Sequence, residues 1–173
     1  MHGQLVPLAP LASGSVFGLT FSGQGDGNER GRERRTGRRT EETDADHVAG
    51  QVLIVEDHMD TRHIYRAILA HGGFGVIEAA DGQEAVRLAR QQLPDIILMD
   101  INLPILNGWE ATRLIKEDER TRAIPVVVIS ASASEESYRR AQSLGCEGYH
   151  TKPFSPLHVL AEVQRVLGFG EDS

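Results

Sequence analysis

From Gln51 to Leu167 the chain alternates five times between a short apolar run and a longer amphipathic stretch, and no other feature constrains its fold as tightly. The runs Val52 to Val55, Ile96 to Met99 and Val126 to Ile129 are unbroken rather than alternating with polar residues. Strands of that kind are buried on both faces, as in parallel sheets covered by helices. After the first, in QVLIVE (Gln51 to Glu56), TRHIYRAILAH (Thr61 to His71) carries Ile64, Ile68 and Leu69 at helical spacing and closes on Gly72 and Gly73. FGVIE (Phe74 to Glu78) reads as the second strand, DGQEAVRLARQQ (Asp81 to Gln92) as a helix with an acidic start, and DIILMD (Asp95 to Asp100) as the third strand. The series ends with a helix over about 107–119 with Ala111, Leu114 and Ile115 on one side, the strand VVVIS (Val126 to Ser130), a helix over about 134–143, a short strand at 148–150 and a helix over 156–167. On that last helix Leu157, Leu160 and Leu167 are expected in the core, with Val163 beside them.

Right-handed crossovers close such a chain into a doubly wound α/β sandwich, a five-stranded parallel sheet with helices on both faces. The expected strand order is 2-1-3-4-5, the flavodoxin-like arrangement, whose ligands gather beyond the carboxyl ends of the strands. Residues 51–173 hold 12 Lys and Arg against 18 Asp and Glu, an acid excess unsuited to tracking a nucleic-acid backbone. The basic cluster from Arg30 to Arg39 lies in residues 1–49, which lack a sustained period and are linker-like at SGQGDGN (Ser22 to Asn28). A disordered N-terminal tail over 1–49 ahead of one domain over 50–170 is expected. No apolar run approaches the ~20 residues that cross a bilayer. No positive charge precedes the mildly apolar stretch from Leu5 to Phe21, as a signal peptide requires. Cys146 stands alone, and only six residues follow Leu167. A cytoplasmic protein without an output domain, and without nucleic acid or membrane as a direct partner, is expected.

The strands end on chemistry: Glu56 and Asp57 after the first, Asp100 on the third, Ser130 on the fourth and Lys152 after the fifth. Singly, each is an ordinary helix cap, turn or surface residue. Together they are a site, because carboxylates about 4–5 Å apart repel by roughly 3–4 kcal/mol per pair at an effective dielectric near 20, which favours capture of a cation. Few, hard oxygen donors suit Mg²⁺, which keeps several waters and accepts a phosphate oxygen. Lys152 and the Ser130 hydroxyl then offer a charge and a donor to a transferred phosphoryl group.

In their order, VED (Val55 to Asp57), LMD (Leu98 to Asp100) with PILNG (Pro104 to Gly108), VISA (Val128 to Ala131) and YHTKPF (Tyr149 to Phe154) resemble the signature set of response-regulator receiver domains. The resemblance covers about 120 residues, with 30 positions from Asp100 to Ser130 and 22 from Ser130 to Lys152. It implies that Asp100 is the phosphoacceptor and that Asp57, Asp100 and the backbone carbonyl of Asn102 bind Mg²⁺, with Glu56 acting through water. It implies that Ser130 and Lys152 contact the phosphoryl group and that Tyr149 is a switch aromatic on a surface built from the fourth helix, fifth strand and fifth helix. The alternative for Tyr149 is a plain exposed edge-strand aromatic. A cis peptide before Pro153 is also implied. The partners implied are a sensor histidine kinase or histidine phosphotransfer protein and a downstream target, with a homodimer left open. Such a domain takes part in its own phosphorylation and dephosphorylation and is not a turnover enzyme.

Alternatives are a phosphoryl shuttle between two histidine proteins, an aspartyl-phosphate phosphatase and a flavin carrier. The phosphatase needs a second Asp two residues after the nucleophile as general acid, where this chain has Asn102. The flavin carrier needs a hydroxyl-rich phosphate loop after the first strand, where Glu56 and Asp57 stand. His58, His63 and His71 lack the i, i+4 spacing of a helical zinc site. Trp109 is expected on or near the third helix, close to the acidic pocket.

Overall fold

The computed structural model describes residues 48–169. Five strands, β1 (Gln51–Val55), β2 (Gly75–Ala79), β3 (Ile96–Asp100), β4 (Val126–Ser130) and β5 (Gly148–Thr151), alternate with α1 (Met59–His71), α2 (Gly82–Gln92), α3 (Gly108–Glu117), α4 (Glu135–Ser143) and α5 (Pro156–Leu167). Every pairing is parallel and the sheet order is β2-β1-β3-β4-β5, the flavodoxin-like order. The expected tail over 1–49 lies outside the described residues except for its last two, of which Ala49 donates its N–H to the Gly73 carbonyl at 2.9 Å. No helix among the described residues is long and apolar enough to cross a membrane.

Uninterrupted apolar strands feed two cores, one per face. Leu53, Val55, Ile97, Met99, Val126 and Val128 pack against Ala85 and Ala89 of α2 and Ala111 and Ile115 of α3. Their neighbours Val52, Ile54, Ile96, Leu98, Val127 and Ile129 pack on the other face against Tyr65 and Leu69 of α1 and Val159 and Val163 of α5. Each such side chain contributes about 1.5–3 kcal/mol on burial. Two expectations about these faces fail. On α1 the inward residue is Tyr65, not Ile64, which is 51% exposed and lies one position, about 100°, round the helix. The Tyr65 ring is admitted to the core because its hydroxyl finds the Phe154 carbonyl at 3.2 Å. On α5 the inward stripe is Val159, Glu162 and Val163, so Leu157 is turned out and 68% exposed.

Caps explain where the helices start. Asp81 accepts from the Glu84 N–H at 2.8 Å while Glu84 reaches back to the Ala80 N–H at 3.1 Å, a capping box displaced by one residue. Asn107 and Ser134 cap α3 and α4 through the N–H groups of Glu110 and Ser137. Helix α4 buries only Ala141 and is the most weakly anchored of the five. Cys146 lies in the loop leading to β5, and burial pushes its thiol up to about 11, which makes it an inert packing residue.

Gly108 opens α3 hard against the end of β3: a Cβ there would lie 2.1 Å from the Asp100 carbonyl oxygen and 2.7 Å from the Ile101 Cα. Both are backbone atoms that cannot rotate away. Gly108→Ala is therefore expected to cost about 3 kcal/mol or more in a urea unfolding titration.

Glu162 is buried on α5 and receives Arg165 Nε at 2.8 Å and Nη2 at 2.7 Å, with His150 Nε2 3.0 Å away on β5. Arg165 first, then His150, hold its carboxyl at about 2 against the opposing effect of burial. A carboxyl depressed on folding stabilises fully above its ordinary range and loses that contribution as pH falls toward the folded value. The gap in melting temperature between wild type and Glu162→Gln should be constant above about pH 5 and close progressively as the pH is lowered toward about 2.

Candidate functional site

Parallel strands deliver their carboxyl ends to one rim, and the polar residues that follow β1, β3, β4 and β5 meet there. Glu56 and Asp100 are 2% and 3% exposed. Between them Lys152 places Nζ 2.9 Å from Glu56 Oε2 and 2.8 Å from Asp100 Oδ2. Its own amide donates to the Ser130 carbonyl at 2.8 Å, which ties the lysine to the hydroxyl-bearing strand. The peptide between Lys152 and Pro153 is cis. Burial by itself lowers the lysine's pKa, but the bonds to Asp100 and Glu56 outweigh it and hold the ammonium above its ordinary value. Two buried carboxylates against one ammonium leave the pair short of one positive charge, and Asp57, with a side chain 32% exposed, adds a further negative one.

Asp100 and Ser130 also perform the ordinary work of strand ends. Asp100 Oδ1 accepts the Asn102 N–H at 3.0 Å, and Ser130 Oγ accepts the Ser132 N–H at 3.1 Å. Each bond fixes a side chain that the site needs. Beyond Asp100 the chain turns tightly, with Leu103 N–H and Gly108 N–H both on the Ile101 carbonyl. Ile105 in that turn sits at φ 68° and is 78% exposed, a left-handed conformation that costs a β-branched residue about 1–3 kcal/mol.

The three acids do not form the single compact cluster that the sequence suggests. The side chains whose ligand atoms fall within 4.8 Å of one another are Glu56, Asp57 and His58; Asp100 is outside that group, engaged instead by the ammonium that it shares with Glu56. His58 Nδ1 lies 3.1 Å from Glu56 Oε1 and 2.9 Å from Asp57 Oδ1, and the bond to Glu56, then the charge of Asp57, raises its pKa. Among the described residues it alone of His58, His63 and His71 joins the acids.

The donor set nevertheless suits a small divalent ion. Both Glu56 oxygens are engaged, by His58 and by Lys152, and can reach an ion through water. The Asn102 carbonyl accepts no hydrogen bond among the described residues, so with Asp57 and Asp100 it completes a set of hard oxygens.

Tyr149 is half-buried, stacks edge-on to Tyr138 with ring centres 6.0 Å apart, and donates its hydroxyl to the Ser132 carbonyl at 2.6 Å. It is therefore bonded to the loop that follows Ser130. Trp109 stands in the first turn of α3 with the Arg140 guanidinium 5.0 Å over its ring. Two residues of the site carry no sequence signal, Arg62 and Tyr65. Arg62 donates to the Glu56 carbonyl across the short turn between β1 and α1, and Tyr65 to the Phe154 carbonyl of a loop that only the fold brings to it.

Removing the lysine would leave two buried carboxylates facing each other without a cation. Loss of one partner of a fully buried pair costs about 3–5 kcal/mol. Lys152 is 29% exposed, so Lys152→Met is expected to lose a smaller amount, about 2 kcal/mol, in chelator-containing buffer by chemical denaturation.

Comparison with known proteins is consistent across sequence and structure. The family model described as the response regulator receiver domain matches residues 52–164. The polar-differentiation response regulator DivK of Brucella ovis is 38% identical over 117 residues, spanning 68% of this chain and 95% of the relative. The receiver domain of a sensor histidine kinase from Pseudomonas aeruginosa, whose crystal structure has a magnesium ion coordinated in its active-site cleft, matches with a TM-score of 0.63 and 35% identity over 69% of this chain and 98% of that one. The chemotaxis response regulator CheY4 of Vibrio cholerae matches with a TM-score of 0.63 and 30% identity over 67% and 97% of the two chains.

Proposed function

Because the chain belongs to the response regulator receiver-domain family of two-component systems, we propose that it accepts a phosphoryl group from a phosphohistidine onto Asp100 and signals by changing what it binds. The observation that carries this reading is Asp100 itself, a buried carboxylate at the end of the central strand with one oxygen on the Lys152 ammonium and the other on a backbone N–H. Those two bonds orient it at the rim where the carboxyl ends of the strands meet.

In the transfer an Asp100 oxygen bonds to phosphorus as the phosphorus–nitrogen bond of the donor breaks. The electron pair leaves with the imidazole, which takes its proton from water. Lys152 pairs with the charge on the phosphoryl oxygens. Ser130, whose Oγ accepts from the Ser132 N–H, keeps its own proton for a phosphoryl oxygen. A bound Mg²⁺ ion would neutralise charge on the same group. Asp57, Asp100 and the Asn102 carbonyl are the residues that would hold it, with Glu56 acting through water. The phosphatase alternative lacks its acid, since the Asn102 amide cannot protonate a leaving alcohol.

Movement of Ser130 toward a phosphoryl group draws on the loop to which Tyr149 is bonded, so α4, β5 and α5 form the readout surface. The donor is a sensor histidine kinase or a histidine phosphotransfer protein, and the output is docking on a target protein or a second copy in the cytoplasm. The domain serves its own phosphorylation and hydrolysis and turns over no separate substrate.

Incubation with phosphoramidate and Mg²⁺ is expected to give one hydroxylamine-sensitive phosphoryl group per chain by intact mass spectrometry. Chelator or Asp100→Asn should abolish it. Labelling of Asp100→Asn at wild-type yield would sink the reading, and steady release of phosphate from simple esters would favour a phosphatase. Asn102, exposed beside the acceptor, leaves an approach for the hydrolytic water, so Asn102→Tyr should lengthen the half-life of the label severalfold in a time course.

A further inference from the structure

The first turn of α1 folds back over the end of β1. From it Arg62, with a side chain 16% exposed, sends Nη1 to the Glu56 carbonyl oxygen at 2.6 Å while its Nε lies 3.3 Å from Glu78 Oε1 on β2. Arg66, one turn later, stands 3.4 Å from the other Glu78 oxygen. The Glu56 N–H is already committed to Ala79 at 3.1 Å, and among the described residues Arg62 is the only donor to the Glu56 carbonyl. That carbonyl belongs to the same peptide plane as the Asp57 N–H, so its direction decides how Asp57 leaves the backbone.

We propose that Arg62 is a positioning residue for the acidic end of β1: braced on Glu78, its guanidinium fixes the Glu56–Asp57 peptide, aims Asp57 at the ion site, and sets the affinity for a divalent cation without touching it. The inference rests on the function proposed above. Arginine suits this role because one rigid, planar group with five donors serves a carbonyl and a carboxylate together, whereas a lysine ammonium is a point charge on a flexible stem. The brace is an ion pair rather than a hydrogen bond, and with side chains 16% and 25% exposed it is partly shielded from water. Groups that orient a metal ligand from behind typically alter metal affinity 10–100-fold when removed.

The test uses the full chain, isotope-labelled, with Mg²⁺ as the probe. In metal-free protein Arg62→Ala is expected to move the Glu56 carbonyl ¹³C resonance and lower the order parameter of the Asp57 amide, while β4 resonances stay in place. Mg²⁺ titration followed at the same resonances should weaken about tenfold, with Arg62→Lys recovering part of the loss. A folded Arg62→Ala protein that binds Mg²⁺ within about twofold of wild type would overturn the proposal, because a purely structural arginine lowers stability and leaves affinity alone. If Arg62→Ala does not fold, Glu78→Gln removes the ionic brace and keeps its shape. Weaker Mg²⁺ binding together with a moved Glu56 carbonyl supports the proposal there, and unchanged affinity defeats it. Should wild-type resonances ignore Mg²⁺ while Arg62→Ala still loosens Asp57, the metal reading fails and the orienting bond stands.

Discussion

A single ammonium shared by two buried carboxylates joins three strands that are not all neighbours. Lys152 after β5 reaches Glu56 after β1 and Asp100 at the end of β3. Without it the rim would hold uncompensated negative charge in a poorly solvated place, where each unit of repulsion costs kilocalories. With it, one negative charge still remains beyond what the lysine cancels, and Asp57 stands at the edge with its carboxylate partly in water. That residual charge is what suits the rim to the cation and phosphoryl group of the proposed function. Stability and chemistry thus draw on the same three side chains.

Around this pair the scaffold is graded. The apolar strands and the helices α1, α2, α3 and α5 give rigid support on both faces, whereas α4 contributes one buried alanine and is held mainly by its serine cap, the Tyr138–Tyr149 contact and Arg140 over Trp109. A weakly held helix beside the loop that follows Ser130 can be displaced at smaller cost than the strand ends that carry the acids. The Tyr149 hydroxyl, bonded to Ser132, links the two regimes. The strained Ile105 turn lies on the rigid side, between Asp100 and Gly108, and is held there by the jammed glycine.

Much of this could be read before the fold was known. The period of the apolar runs identified five strands and five helices with ends correct to within a few residues, and the polar residues just past each run identified Glu56, Asp57, Asp100, Ser130 and Lys152. What failed was orientation. Ile64 and Tyr65 are both apolar enough to face inward, and hydropathy prefers isoleucine; the tyrosine is inside because a carbonyl of a distant loop waits for its hydroxyl. Leu157 satisfies a helical pattern on paper and is exposed, since the true inward stripe includes the charged Glu162, which Arg165 and His150 make tolerable. The acids were expected to face one another, and a lysine divides them.

Local order in the sequence therefore settled the parallel sheet, its class of topology and the list of residues at the rim, because strand and helix periods are properties of neighbouring residues. Tertiary structure alone decided who meets whom across the chain: Lys152 with both Glu56 and Asp100, Tyr65 with the Phe154 carbonyl, Arg62 with Glu78 of the neighbouring strand, Tyr149 with the Ser132 loop. The physical reason is that a hydrogen bond is decided over tenths of an ångström and a few tens of degrees. Those quantities depend on sheet twist, crossover packing and rotamer, which are set by contacts between segments dozens of residues apart.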